Sequence, residues 1–126
     1  MPELSRRAFC CALASIAAGC SSVPRYLLRD EDSRRIPISA FDEQGKLLII
    51  RPRRKPVLII REGTGFHALL MTCTHRGCVL RARPSDLVCP CHGSRFDLQG
   101  QVLEGPAQRP LTPIPLSVSP EGVITI

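Results

Sequence analysis

The segment Cys73-Thr74-His75-Arg76-Gly77-Cys78 is followed, ten residues on, by Cys89-Pro90-Cys91-His92-Gly93-Ser94-Arg95-Phe96-Asp97. Each segment sets a Cys and a His within a few residues of one another and adds a second Cys. Each also carries a glycine, the residue that lets a chain turn back on itself most cheaply. Thiolate and imidazole side by side are ligands for a borderline-soft metal. From the residues alone, three readings stand open. Cys73, His75, Cys89 and His92 could hold one tetrahedral zinc ion. The four cysteines could close two disulfides around idle histidines. The third reading is an iron–sulfur cluster with mixed ligands.

Outward from these loops, the chain reads as short strands cut by Gly and Pro. Apolar and β-branched runs predict strands at 34–39, 46–51, 57–61 and 66–71, and shorter ones at 79–83, 86–88, 95–97, 101–103, 116–119 and 123–126. Gly45, Gly63, Gly65, Gly100, Pro106 and the segment Pro120–Gly122 supply turns. No window sustains a 3.6-residue period. Pro106, Pro110, Pro113 and Pro115 exclude a helix there. The expected fold is all-β: a small antiparallel sandwich or barrel with a two-loop metal-binding subdomain.

The chain has 126 residues, room for one small domain, and its 44% hydrophobic content against 22% charged argues for a packed core. Aromatics are only 4%, with no Trp, so the core must be aliphatic and a base-stacking face is absent. Nucleic acid is therefore not an expected partner. A net charge of +6 fits a membrane surface or an acidic protein. Seven cysteines is an odd number and needs a division.

The N-terminus supplies part of it. A charged start through Arg6-Arg7 leads into the apolar run Ala8 to Gly19, too short to cross a bilayer and read as a secretory leader. Ser5-Arg6-Arg7-Ala8-Phe9 resembles the twin-arginine export signal. Ile16-Ala17-Ala18-Gly19-Cys20 resembles a bacterial lipobox, which implies cleavage before Cys20 and lipidation of Cys20. Cys10 and Cys11 would leave with residues 1–19, and residues 20–33 would tether the domain at 34–126 to a membrane. The expected location is a periplasmic or other extracytoplasmic membrane face, with the chain lipid-anchored. Cys73, Cys78, Cys89 and Cys91 remain.

Taken together, the two loops resemble the Rieske [2Fe–2S] signature, C-T-H-x-G-C followed by C-P-C-H-G-S, and the strand pattern of 34–126 is similar to the whole Rieske domain. The resemblance implies one [2Fe–2S] cluster per chain. Cys73 and Cys89 would bind one iron, His75 and His92 the other. Cys78 and Cys91 would form a disulfide between the loops, as suits an oxidising compartment. Two ferric ions, two sulfides and two thiolates sum to zero charge, which makes electron uptake easier than in a four-thiolate core. Reduction adds negative charge and is expected to favour proton binding at the histidines. Gly77 and Gly93 would let backbone N–H groups approach the cluster, and the Ser94 hydroxyl would reach a bridging sulfide. Gly105-Pro106-Ala107 resembles the third loop that covers the cluster in this family.

Two positions depart from the pattern. High-potential members carry Tyr where this chain has Phe96, which implies a lower potential here. Quinol-oxidising members of the cytochrome bc type carry an apolar residue where this chain has Arg76, which fits an acidic protein surface better than an apolar quinol pocket. The disulfide pair also sets the chain apart from the ferredoxin-like Rieske domains that serve oxygenases. The expected function is one-electron transfer to a redox partner protein, as an exported chain that could serve as a subunit of a larger oxidoreductase. Its alternatives are the quinol-oxidising subunit of a cytochrome bc-type complex and, in another class, a zinc-stabilised surface binding module.

The remaining signals are weaker. Arg51-Pro52-Arg53-Arg54-Lys55-Pro56 reads first as a solvated loop between strands, and second as contact with headgroups or an acidic partner. His67 reads as structural and Asp97 as a strand terminator. No Ser–His–Asp set, carboxylate pair or phosphate loop is present, so no catalytic residue is assigned.

Overall fold

The computed structural model describes residues 23–28, 34–51 and 53–126. The expected leader, Cys20 and the rest of the expected tether lie outside the described residues. The strands in chain order are β1 (Arg25–Leu27), β2 (Arg35–Pro37), β3 (Lys46–Ile50), β4 (Val57–Glu62), β5 (Gly65–Leu70) and β6 (Arg81–Ala82). They continue as β7 (Leu87–Val88), β8 (Arg95–Phe96), β9 (Val102–Glu104), β10 (Pro113–Ile114), β11 (Ser117–Val118) and β12 (Val123–Thr125). A single turn of 3₁₀ helix covers Ile38–Ala40.

Three sheets form, in the orders β1-β3-β4-β5-β10, β11-β12-β2 and β6-β7-β8-β9. The first is the middle layer, and β4 shows why. Val57 and Ile59 pack with Ile36, Leu47, Ile49 and Ile124 on one side. Leu58 and Ile60 pack with Leu69, Met71, Leu87 and Phe96 on the other. Successive side chains on a strand point to opposite faces, so a strand buried on both faces must be apolar at every position. The unbroken Val57-Leu58-Ile59-Ile60 run is the sequence form of that sandwiching. The loops at 73–78 and 89–94 belong to the third, four-stranded layer, which rests on β4 and β5.

Two strands differ from the sequence reading. Arg25–Leu27, inside the expected tether, pairs with β3 in parallel, so the sheets are not wholly antiparallel. Tyr26 and Leu28 pack in the core while Arg25 and Leu27 are exposed. That alternation is only four residues long, and the charged residues around it conceal it. The short β10 begins at Pro113, in a segment for which the sequence predicts no strand. It lies on the edge of the five-stranded sheet, and an edge strand tolerates a missing donor. Among the described residues no helix is long and apolar enough to cross a membrane.

Candidate metal centre

The two loops share one backbone plan. The Cys73 N–H donates to the Cys78 carbonyl (2.8 Å), and the Gly77 N–H donates to the Cys73 carbonyl (2.8 Å). Likewise the Cys89 N–H donates to the Ser94 carbonyl (2.8 Å), and the Gly93 N–H to the Cys89 carbonyl (3.1 Å). Gly77 and Gly93 hold φ of +79° and +78°, the left-handed region that side chains disfavour. Their own N–H groups are spent closing the turns. A Cβ would meet nothing of the protein within 4 Å at Gly93 and only Thr72 Cγ2 at 3.9 Å at Gly77. Within the protein, the requirement for glycine here is the left-handed turn, not close approach.

This plan sorts the cysteines. Cys78 and Cys91 form the expected disulfide between the loops. Cys73 and Cys89 are free thiols, each 2% exposed. The Cys89 sulfur lies within 4.8 Å of both bridged sulfurs. That three-sulfur group is no metal site by itself, because two of its members are bonded to each other. His75 and His92 are exposed, and their rings meet edge to face with centroids 5.1 Å apart. The two loops therefore hold two buried free thiols and two exposed imidazoles that meet each other. The disulfide occupies the other two cysteines. This donor set, two soft and two imidazole, fits a mixed-ligand two-iron cluster.

Ser94 is fully buried, and its Oγ accepts the Ala107 N–H at 3.0 Å. The bond orients the hydroxyl and leaves its own proton available. It also draws 105–107 against the second loop, while Pro106 lines a groove with Thr74, His75, Gln108 and Arg109. Phe96 is fully buried and packs in the same cluster of residues as Cys73 and Cys89. Arg76 is exposed beside His75. His67 is structural: its Nε2 sits 2.7 Å from the Leu98 carbonyl and ties the middle sheet to the metal-binding layer. Asp97 follows β8, and its carboxylate accepts the N–H groups of Gln99 (2.9 Å) and Gln101 (2.8 Å).

Two supports escaped the sequence reading. Arg109 NH2 donates to the Thr74 carbonyl (3.3 Å) while Thr74 Oγ1 donates to the Arg109 carbonyl (2.7 Å), locking the third segment to the first loop. Asp86 is 3% exposed and is clamped by Arg83 and by Arg95 (Nε 2.9 Å), immediately after Ser94. Its signal was an isolated Asp at the head of an apolar pair, with arginines on both flanks.

Hydrogen bonding from Arg83 holds the Asp86 carboxyl below its ordinary range against the opposing effect of burial, and Arg95 adds to it. A depressed folded-state pKa contributes stability that is present above the unfolded value of about 3.9 and is lost as pH falls through the lower folded value. Asp86→Asn is expected to cost about 1–2 kcal/mol at neutral pH, discounted for the exposed arginines. Urea titrations of the two chains should converge in strong acid. An equal gap at both pH extremes refutes this role.

Comparison with known proteins adds four findings. The Rieske [2Fe-2S] domain profile matches residues 36–115. The cytochrome b6-f complex iron-sulfur subunit 2 of Nostoc sp. is 46% identical over 57 residues, 44% of this chain and 32% of the relative. The corresponding subunit of Chlorobaculum thiosulfatiphilum is 25% identical over 103 residues, 80% of this chain and 57% of the relative. The chain thus spans less than two thirds of these relatives. The crystal structure of the plasma membrane Rieske protein PetC3 from Synechocystis PCC 6803 superposes with a TM-score of 0.55 at 33% identity, covering 66% of this chain and 87% of that one.

Proposed function

The chain belongs to the Rieske [2Fe–2S] domain family, and we propose that it passes single electrons to a redox partner from an extracytoplasmic membrane face, held there by a lipid on Cys20. The observation that carries this reading is the division of the four cysteines of the loops. Two are bridged and two are free and buried, and the two exposed imidazoles of the same loops meet edge to face.

In this reading Cys73 and Cys89 bind one iron through their thiolates, and His75 and His92 bind the other through ring nitrogens. When bound, the cluster supplies a one-electron couple. The chain does the rest. Burial of Cys73 and Cys89 keeps water from the thiolates. Exposure of His75 and His92 leaves an edge through which a partner can exchange the electron. Ser94 holds a donor proton at Oγ, steadied by Ala107, for a sulfur acceptor. Phe96 offers no hydroxyl.

The named roles of the relatives in cytochrome b6-f complexes favour a second reading, the quinol-oxidising subunit of such a complex. Arg76 opposes it, because it sets a charge at the tip that an apolar pocket would have to desolvate.

Chemical analysis and electron paramagnetic resonance decide the matter. Two irons and two labile sulfides per chain, with a reduced-state signal of low mean g-value, are expected. Zinc without a signal overturns the reading and leaves a zinc-stabilised binding module.

A further inference from the structure

We propose that the end of the molecule bearing His75 and His92 is a docking face for an acidic redox protein, held by Arg53, Arg54, Lys55, Arg76 and Arg109. The inference rests on the electron-transfer reading and names the chemistry of the partner.

Three separate segments bring these cations together. The loop 51–56 joins β3 to β4 at the metal-binding end, where the Met71 N–H donates to the Pro56 carbonyl at 2.9 Å. From this loop Lys55 Nζ donates to the Gly77 carbonyl at 3.3 Å, so the basic run abuts the first metal-binding loop. Arg51 folds back on the Lys55 carbonyl through Nε (3.1 Å) and NH2 (2.7 Å), and closes the loop. Arg53 and Arg54 are left exposed. Arg53 takes φ of +53°, a conformation uncommon for any residue but glycine, and strain of this kind concentrates at functional surfaces. Burial and then the nearby Arg54 push the Arg51 pKa down, as crowded like charges should. Arg76 stands beside His75 on the first loop. Arg109, from the third segment, shares the groove beside His75.

The cations are not matched locally. Among the described residues, none of the five forms an ion pair. The carboxylates of the metal-binding layer are otherwise engaged: Asp86 and Glu104 by Arg95, and Asp97 by backbone N–H groups. Glu62 and Asp42 lie at the opposite end of the middle sheet, by the β4–β5 turn and the start of β3. Arg61 and Lys46 stand among those carboxylates, so the cations without a neighbouring carboxylate gather at the end that bears the histidines. Such a field steers and orients an anionic partner before contact. The cations also flank the loop that carries His75. A protein with carboxylates around its own redox centre uses both features, whereas phospholipid headgroups seated there would only cap the histidines.

The test uses the full, cluster-loaded chain in its reduced state and two small oxidants of opposite charge, hexacyanoferrate(III) and tris(phenanthroline)cobalt(III), with the return of the oxidised cluster's visible absorbance followed by stopped flow. The hexacyanoferrate rate should fall at least about tenfold between about 0.01 M and about 1 M salt, and the cobalt rate should rise. Arg53→Glu with Arg54→Glu, and separately Arg76→Glu, should reduce the hexacyanoferrate rate at low salt and flatten its salt dependence. Labelled poly-L-glutamate, followed by fluorescence anisotropy, should bind the native chain and not the variants. Rates indifferent to the substitutions overturn the proposal. Binding to phosphatidylglycerol vesicles that the same substitutions weaken as much as they weaken poly-L-glutamate binding overturns the assignment to a protein. A reduced-state resonance spectrum recorded on every sample keeps the two failures apart. Loss of the cluster signal indicts the electron-transfer reading, whereas an intact signal with no charge dependence indicts the docking face.

Discussion

A chain carrying Cys78→Ser and Cys91→Ser is expected to lose about 3 kcal/mol of stability and to fail to retain iron. The bridge joins positions 13 residues apart, and closing a loop of that size restricts the unfolded chain by about that amount. The stability loss alone would leave much of the protein folded. The larger effect is local. Each loop keeps its internal bonds, Cys73 to Cys78 and Cys89 to Ser94, so each turn survives alone. What disappears is the covalent tie that fixes one loop against the other, and with it the meeting of His75 and His92 rings at 5.1 Å. A site drawing ligands from both loops depends on that relative placement. Visible absorbance and iron content, measured beside urea unfolding, check the prediction. A double variant that keeps its iron and its unfolding midpoint refutes it.

Phe96 yields the other large effect. Its ring is fully buried, directly across from Leu87 in the β7–β8 pairing and packed with Met71, Cys73, Cys89 and Ala107. Phe96→Ala removes most of that volume at a position held from both sides, with an expected cost of about 3–5 kcal/mol. For a domain of this size that is a large share of the total. The cavity would open in the buried cluster that also holds Cys73 and Cys89, so loss of iron should accompany unfolding at a lower urea concentration.

Phe96→Tyr separates packing from electrostatics. Volume is nearly conserved, and the family resemblance implies that the new hydroxyl would donate to a ligand sulfur. A bond that favours the reduced state by about 1 kcal/mol raises a one-electron potential by about 40 mV. An unchanged midpoint potential in a redox titration means that the hydroxyl does not reach the sulfur, and this account of position 96 then fails.

The two Cys–His loops stood out in the sequence because their information is local. Cys73, His75 and Cys78 fall within six residues, as do Cys89, Cys91, His92 and Ser94, and the glycines that turn them sit at fixed offsets. Most strands were legible for a similar reason: β3, β4 and β5 are apolar runs bounded by Gly and Pro. The disulfide needed more than spacing, since four cysteines allow three pairings. Resemblance to a family named the pair, and the folded chain brings those two sulfurs together.

Tertiary structure alone decided the rest. Strand β1 has too few residues to announce itself and exists because β3 offers it an edge. Asp86 becomes a clamp only when β7 and β8 pair and bring Arg95 beside it. Arg109 and Lys55 lie 35 and 22 residues from the loop positions they bind. A hydrogen bond across such separations leaves no periodic trace in the residues between. Chemistry carried by neighbours in the chain is written in the sequence, whereas placement across the chain is set by which apolar faces must be buried together.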